Sequence, residues 1–142
     1  MTVKELLERV RAVDVETLKE LAVEANSVEI ARLNEAQMLQ GLTAEGKPIR
    51  PKYTPAYLKR KQRKGGYSLD GTPNLHDTGE FHKEMDTLAH GGEYFLTSFD
   101  EKVKFLPERY EKIFGLTAEN IEKAKVSVTD TFLSLYRKEI GL

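Results

Sequence analysis

Glu84-Met-Asp-Thr-Leu-Ala-His90-Gly91-Gly92-Glu93-Tyr-Phe-Leu-Thr-Ser-Phe99 decides the fold class of this chain. Two short runs, Glu84 to His90 and Glu93 to Phe99, flank a Gly-Gly pair. Glycine reaches the positive φ values that a two-residue hairpin turn needs, so the stretch predicts two antiparallel strands. A turn at Asp100-Glu101 and the run Lys102 to Leu106 predict a third strand beside them. The other periodic segments are helical. The chain therefore reads as α+β: a long N-terminal helix, an extended basic loop, a small antiparallel sheet and a C-terminal helix.

Upstream, Asp14 is a helix cap, and the apolar positions Leu18, Leu21, Ala25, Val28, Ala36 and Leu39 follow at spacings of three and four, interrupted by Arg32. Ala22, Ile30 and Leu33 widen this stripe, so one long helix packing on more than one side is expected. Residues 2–12 form a short helix of their own before it, and Gly41 is placed as a C-terminal stop. Downstream, Thr117 caps a last helix whose stripe is Ile121, Ala124, Val128, Phe132 and Leu135, extended sideways by Val126, Leu133, Tyr136 and Ile140.

Between Gly41 and Gly79 the periodicity stops. Four of the five prolines lie here (Pro48, Pro51, Pro55 and Pro73), along with Gly41, Gly46, Gly65, Gly66 and Gly71. Pro55 starts a short helix, Ala56 to Arg63, that Gly65-Gly66 ends. The remainder reads as a long extended arm, at about 41–79, of a single domain spanning 1–142; so long a loop is uncommon unless it has a function. Asp77 and Glu80 make a capping-box pattern for a short helix through Phe81 and Met85.

Composition bounds the function. With 142 residues the chain holds one core, and at 39% apolar and 32% charged residues it is neither disordered nor membrane-embedded. No apolar run approaches the roughly 20 residues that cross a bilayer. The first residues are mixed in charge, unlike a secretion signal, so synthesis in the cytosol is expected. The absence of cysteine excludes disulfides, thiolate metal sites and a cysteine nucleophile. The net charge of −1 conceals a basic strip: Lys47, Arg50, Lys52, Lys59, Arg60, Lys61, Arg63 and Lys64, with no acid among them. Such a strip either meets the acidic surface of a neighbouring subunit or contacts nucleic-acid phosphates, with Tyr53, Tyr57 and Tyr67 stacking on bases. Lys59 to Lys64 also has the form of a nuclear localisation signal, a pattern with many false matches.

No constellation for catalysis stands out. Asp77-Thr78-Gly79 matches the aspartic-protease triplet, but that triplet follows a buried apolar strand and needs a second carboxylate; here it precedes a charged helix start. His76, His82 and His90 are six and eight residues apart, whereas a helical metal pair wants three or four. No serine lies in a nucleophile elbow, and Lys64-Gly-Gly lacks the spacing of a phosphate loop. No catalytic residue, metal or cofactor is expected.

Three segments carry a resemblance. Gly46-Lys-Pro-Ile-Arg-Pro-Lys-Tyr-Thr-Pro-Ala-Tyr-Leu-Lys-Arg-Lys, Pro73-Asn-Leu-His-Asp-Thr-Gly-Glu-Phe and Tyr110-Glu-Lys-Ile-Phe-Gly-Leu-Thr-Ala-Glu-Asn-Ile-Glu stand in an order and spacing that resembles the virion-morphogenesis (tail-completion) proteins of tailed bacteriophages. The resemblance covers roughly residues 41–140. The chain departs from the pattern in having Phe81 after Thr-Gly, no Ser-Ile pair beyond it, and a lysine-rich loop without tryptophan. The resemblance implies a small α+β structural protein acting at the head–tail junction or tail end of a phage or prophage particle. Its partners would be other tail or neck proteins and copies of itself; it would lie in the host cytoplasm during assembly and then in the virion. Contacts would fall on Arg50, Lys52, Tyr53, Tyr57, Lys59, Arg60, Lys61, Arg63 and Lys64. Asp77, Thr78, Gly79 and Gly115 would be structural turns.

Overall fold

The structure, a computed structural model, describes residues 1–63, 70–90 and 93–142. The architecture is α+β: seven α-helices and one two-stranded antiparallel sheet among those residues. Helices α1 (Val3–Ala12), α2 (Val15–Ala25) and α3 (Ser27–Leu39) open the chain. Thr2 and Glu5 form a reciprocal capping box on α1, and Asp14 accepts from Thr17 N at 3.2 Å at the start of α2.

The long N-terminal helix is broken in two at Asn26. Its Nδ2 donates back to the Ala22 carbonyl at 2.8 Å and across to Thr131 Oγ1 at 2.9 Å, and its backbone leaves the helical region at φ −108° and ψ 13°. A side chain that bonds its own helix in this way competes with the backbone ladder. The break resets the phase of the buried face. Val28 and Leu39, expected inward, are 68% and 42% exposed, while Ile30, Ala31, Asn34, Gln37 and Met38 face the core.

Gly41 stops α3 as expected: its N–H bonds the Met38 carbonyl, and Leu42 N bonds Gln37 O at 2.9 Å, the paired pattern of a Schellman end. The arm that follows does not project. It turns back at Leu42 and Pro48, which form an isolated antiparallel bridge, and it drives Ile49 into the core. Ala44 N reaches the Lys112 carbonyl at 2.8 Å, and Tyr53 N reaches Gly71 O at 2.8 Å. Burial of Ile49 and Leu75 contributes roughly 1.5–3 kcal/mol each to holding this irregular segment down. Helix α4 (Pro55–Arg63) lies within it, within one residue of the predicted start; its expected Gly65-Gly66 stop lies outside the described residues.

Strands β1 (Met85–His90) and β2 (Glu93–Ser98) pair with Met85 opposite Ser98 and His90 opposite Glu93; the Gly91-Gly92 turn lies outside the described residues. Met85, Thr87 and Ser98 face inward, Thr87 Oγ1 donating to Ser27 O and Ser98 Oγ to Phe81 O. The alternation is the strand period of two. Leu88 and Phe95, directly opposite one another, stay on the solvent side, 46% and 52% exposed.

The predicted third strand does not form. Residues Glu101–Lys104 form a 3-10 helix that Asp100 caps by accepting from Lys102 N at 2.9 Å. A short α6 (Leu106–Arg109) follows, with Pro107 in its first turn, where the missing N–H costs nothing. Helix α7 (Ala118–Glu139) starts at Thr117, whose side chain accepts from Asn120 N. Its buried residue is Ala124; Val126 and Leu133, predicted to extend the packed stripe, are 63% and 42% exposed.

Two clusters make the core. One gathers Met38, Ile49, Leu75, Phe81, Met85 and Ile113 beneath the arm; the other joins Ile30, Leu116 and Ala124 between α3 and α7, and Leu96 of β2 packs against both.

Candidate functional site

Helix α4 divides the basic strip into two faces. Tyr57, Leu58 and Lys61, spaced three and four apart, turn toward the protein, while Lys59, Arg60 and Arg63 face solvent. Lys61 is 7% exposed, and its ammonium donates to the carbonyl of His76 and lies 5.2 Å from the centre of the Tyr53 ring. Burial lowers its pKa, and the charge of Asp77 opposes that shift. Lys61 is thus a rivet between α4 and the 73–77 segment and not a surface contact. Lys64, the last cation of the strip, lies outside the described residues.

Of the predicted stacking tyrosines, Tyr53 and Tyr57 are engaged within the fold, and Tyr67 lies outside the described residues. Tyr53 is half-buried, and its hydroxyl accepts from Leu75 N at 3.0 Å; burial pushes its pKa up to about 12. Its ring meets Tyr57 edge to face at 4.8 Å, and the Arg60 guanidinium lies over Tyr57 at 5.2 Å. Neither ring offers a free stacking platform. The outward cations differ. Arg50, Lys52, Lys59, Arg60 and Arg63 make no ion pair among the described residues, whereas Lys47 pairs with Glu45 at 3.5 Å. Arg50 donates to its neighbour Ile49 O and to Thr72 Oγ1, which keeps its head close to the arm.

Tyr53, Tyr57, Arg60 and Asp77 come together on one cleft of about 410 Å³. The wall that sequence reasoning missed comes from the region predicted as a strand: Lys102, Phe105, Leu106 and Arg109, with Tyr110 behind them. The Arg109 guanidinium lies 5.6 Å from the Tyr110 ring centre, and its Nε donates to the Tyr110 hydroxyl at 3.2 Å. Lys102 leans on Asp100 at 3.8 Å. Periodicity could not have found this wall, because its residues are assembled by two short helical turns.

Asp77 is exposed and does not cap the short helix α5 (Glu80–Lys83). Gly79 occupies the cap position at φ +91° and has no side chain to cap with, and Thr78 Oγ1 accepts weakly from Glu80 N at 3.4 Å. The other end of α5 is held by Arg32, whose guanidinium donates to the carbonyls of His82 and Met85, each at 3.2 Å, and pairs with Glu35. Gly115 is a structural turn as expected. Its φ is +130°, and a Cβ there would stand 2.8 Å from that of Ala44.

The His76 and His82 rings lie side by side, centres 5.8 Å apart and tilted by 33°. No group of three metal-ligating side chains occurs among the described residues, and none of the helices described is long and apolar enough to cross a membrane. No family model, curated protein or solved structure matches the chain.

Proposed function

We propose that this protein is a non-catalytic assembly protein of a tailed phage or prophage particle, working by contact with tail or neck proteins and with copies of itself. The observation that carries the proposal is the outward row of Lys59 and Arg63, one turn apart on α4 and in no ion pair among the described residues, on an arm already anchored to its own core. An ordered charged surface meets its partner without first losing chain entropy, so complementary charge can set register directly. The exposed Leu88–Phe95 pair on the hairpin adds apolar surface of the kind that marks contacts. The three sequence segments that resemble virion-morphogenesis proteins supply the biological setting. In this reading the protein is made in the host cytoplasm and ends in the particle.

The test is deletion of the gene from its phage or prophage, with electron microscopy of the particles. Complementation follows, by the wild type and by Lys59→Glu/Arg63→Glu, both on the solvent face of α4. Incomplete particles that the wild type rescues and the charge-reversed protein does not are the expected result. Complete, infectious particles after deletion would defeat the reading.

The same cation row favours one second reading, a nucleic-acid-binding protein that grips phosphates. It demands affinity that falls with salt at a log–log slope of about −0.9 per phosphate neutralised on duplex DNA.

A further inference from the structure

The cleft between α4 and α6 combines features that point to one kind of occupant. Its rim carries two guanidiniums, Arg60 and Arg109, neither in an ion pair among the described residues, against a single carboxylate, Asp77. Each guanidinium lies over a tyrosine ring, which orients the planar fork; Arg109 spends its Nε–H on the Tyr110 hydroxyl and keeps its Nη groups to recognise a carboxylate. Between them Phe105, 54% exposed, and Leu106 make an apolar seat. Aromatic residues and arginine in a small concavity are the composition of interface hot spots. A nucleic acid is less well served, because Arg60 lies over Tyr57 and Tyr110 is buried, which leaves Phe105 as a single face for a base.

We propose that this cleft receives a peptide segment of a partner protein in which an acidic residue stands next to a bulky apolar one. The carboxylate meets Arg60 and Arg109, and the apolar side chain packs on Phe105 and Leu106. The proposal rests on the reading of the chain as an assembly protein and supplies the chemistry of its partner. The 410 Å³ volume suits one or two side chains of an extended segment.

The experiment is amide chemical-shift titration of the whole protein with blocked hexapeptides: one pairing glutamates with leucine and phenylalanine, one with lysines in place of the glutamates, one with alanines in place of the apolar pair, and oligo(dT) as a fourth probe. Binding of the first, about ten-fold tighter than the second and third, with shifts centred on residues 57–60 and 105–110, is expected. Arg60→Ala, at an exposed position, should weaken it by about ten-fold with the rest of the spectrum unchanged, and Phe105→Ala should do the same. Equal binding of the three peptides, absence of binding, or preference for oligo(dT) would overturn the proposal. Failure here while Lys59→Glu/Arg63→Glu still blocks particle assembly would remove the cleft and leave the assembly reading intact. Peptide binding together with normal particles after gene deletion would do the reverse.

Discussion

Two buried polar groups, both in contact with the first half of the chain, are built to opposite standards. At the joint between α3 and α7 every buried side-chain amide atom has a partner. Asn34 Nδ2 donates to Ile113 O at 2.9 Å while its Oδ1 accepts from Gly115 N; Gln37 Nε2 donates to Gly115 O, and its Oε1 accepts from Thr117 N at 2.9 Å and from Asn120 Nδ2. Beneath α5 the accounts do not close. His82 Nε2 donates to Asn74 O at 2.9 Å and Asn74 Oδ1 accepts from His76 N, but His82 Nδ1 and Asn74 Nδ2 are buried without a partner. A satisfied network fixes one geometry, whereas an orphaned polar atom costs desolvation free energy with no return. The first joint aligns the helix that closes the fold, and the second sits under a four-residue helix beside the cleft.

The largest effect should come from breaking the satisfied joint. Asn34→Leu strands Ile113 O and Gly115 N–H without water and should cost about 3 kcal/mol in urea unfolding. A loss below about 1 kcal/mol would mean that the joint is hydrated. The same change at Asn74 should cost less, because one of its amide atoms already lacks a partner.

A smaller effect comes from acid. Burial lowers the His82 pKa, against the opposing pull of its bond to Asn74 O and the charge of Glu35, with His76 adding to the depression. A histidine whose folded pKa is depressed takes up its proton first in the unfolded chain. Its stabilising contribution is therefore complete above the unfolded value, near 6.5, and declines as pH falls toward the folded pKa, by at most about 1.4 kcal/mol per pH unit. Stability measured between pH 7.5 and 5 should show this decline in the wild type and lose it in His82→Phe, while Asn34→Leu should keep it. A flat wild-type profile would show that the orphaned Nδ1 is solvated.

The smallest effects separate true caps from apparent ones. Thr117→Ala removes a cap that accepts from Asn120 N and should cost about 1 kcal/mol. Asp77→Asn, at a residue that caps nothing, should stay within about 0.5 kcal/mol. Equal losses at the two positions would restore Asp77 as a cap.

These contrasts also mark what could be read in the sequence. Caps at Asp14 and Thr117, the stop at Gly41 and the hairpin around Gly91-Gly92 depend on neighbours a few residues apart, and their signals are local. The buried face of α3 was hidden because Asn34 and Gln37 occupy it, so an apolar stripe drawn from Ala36 and Leu39 picks the wrong side. The run Lys102 to Leu106 alternates as a strand does, but Asp100 and Pro107 bend it into helical turns. The arm was legible as irregular but not as docked, since Ile49 and Leu75 are single apolar residues with no period to announce them. Half of the cleft, from α4, was visible as basic and aromatic residues; the other half depended on tertiary placement.

Lys61 has a consequence for how this protein can change. Because Lys61 on the inner face of α4 ties the helix to the His76 carbonyl while Lys59 and Arg63 point to solvent, those two can be exchanged for other residues without refolding the arm. Attachment and recognition are assigned to different side chains of the same two helical turns. A lineage carrying this chain can therefore re-address its outer surface to a new partner while the scaffold stays as it is.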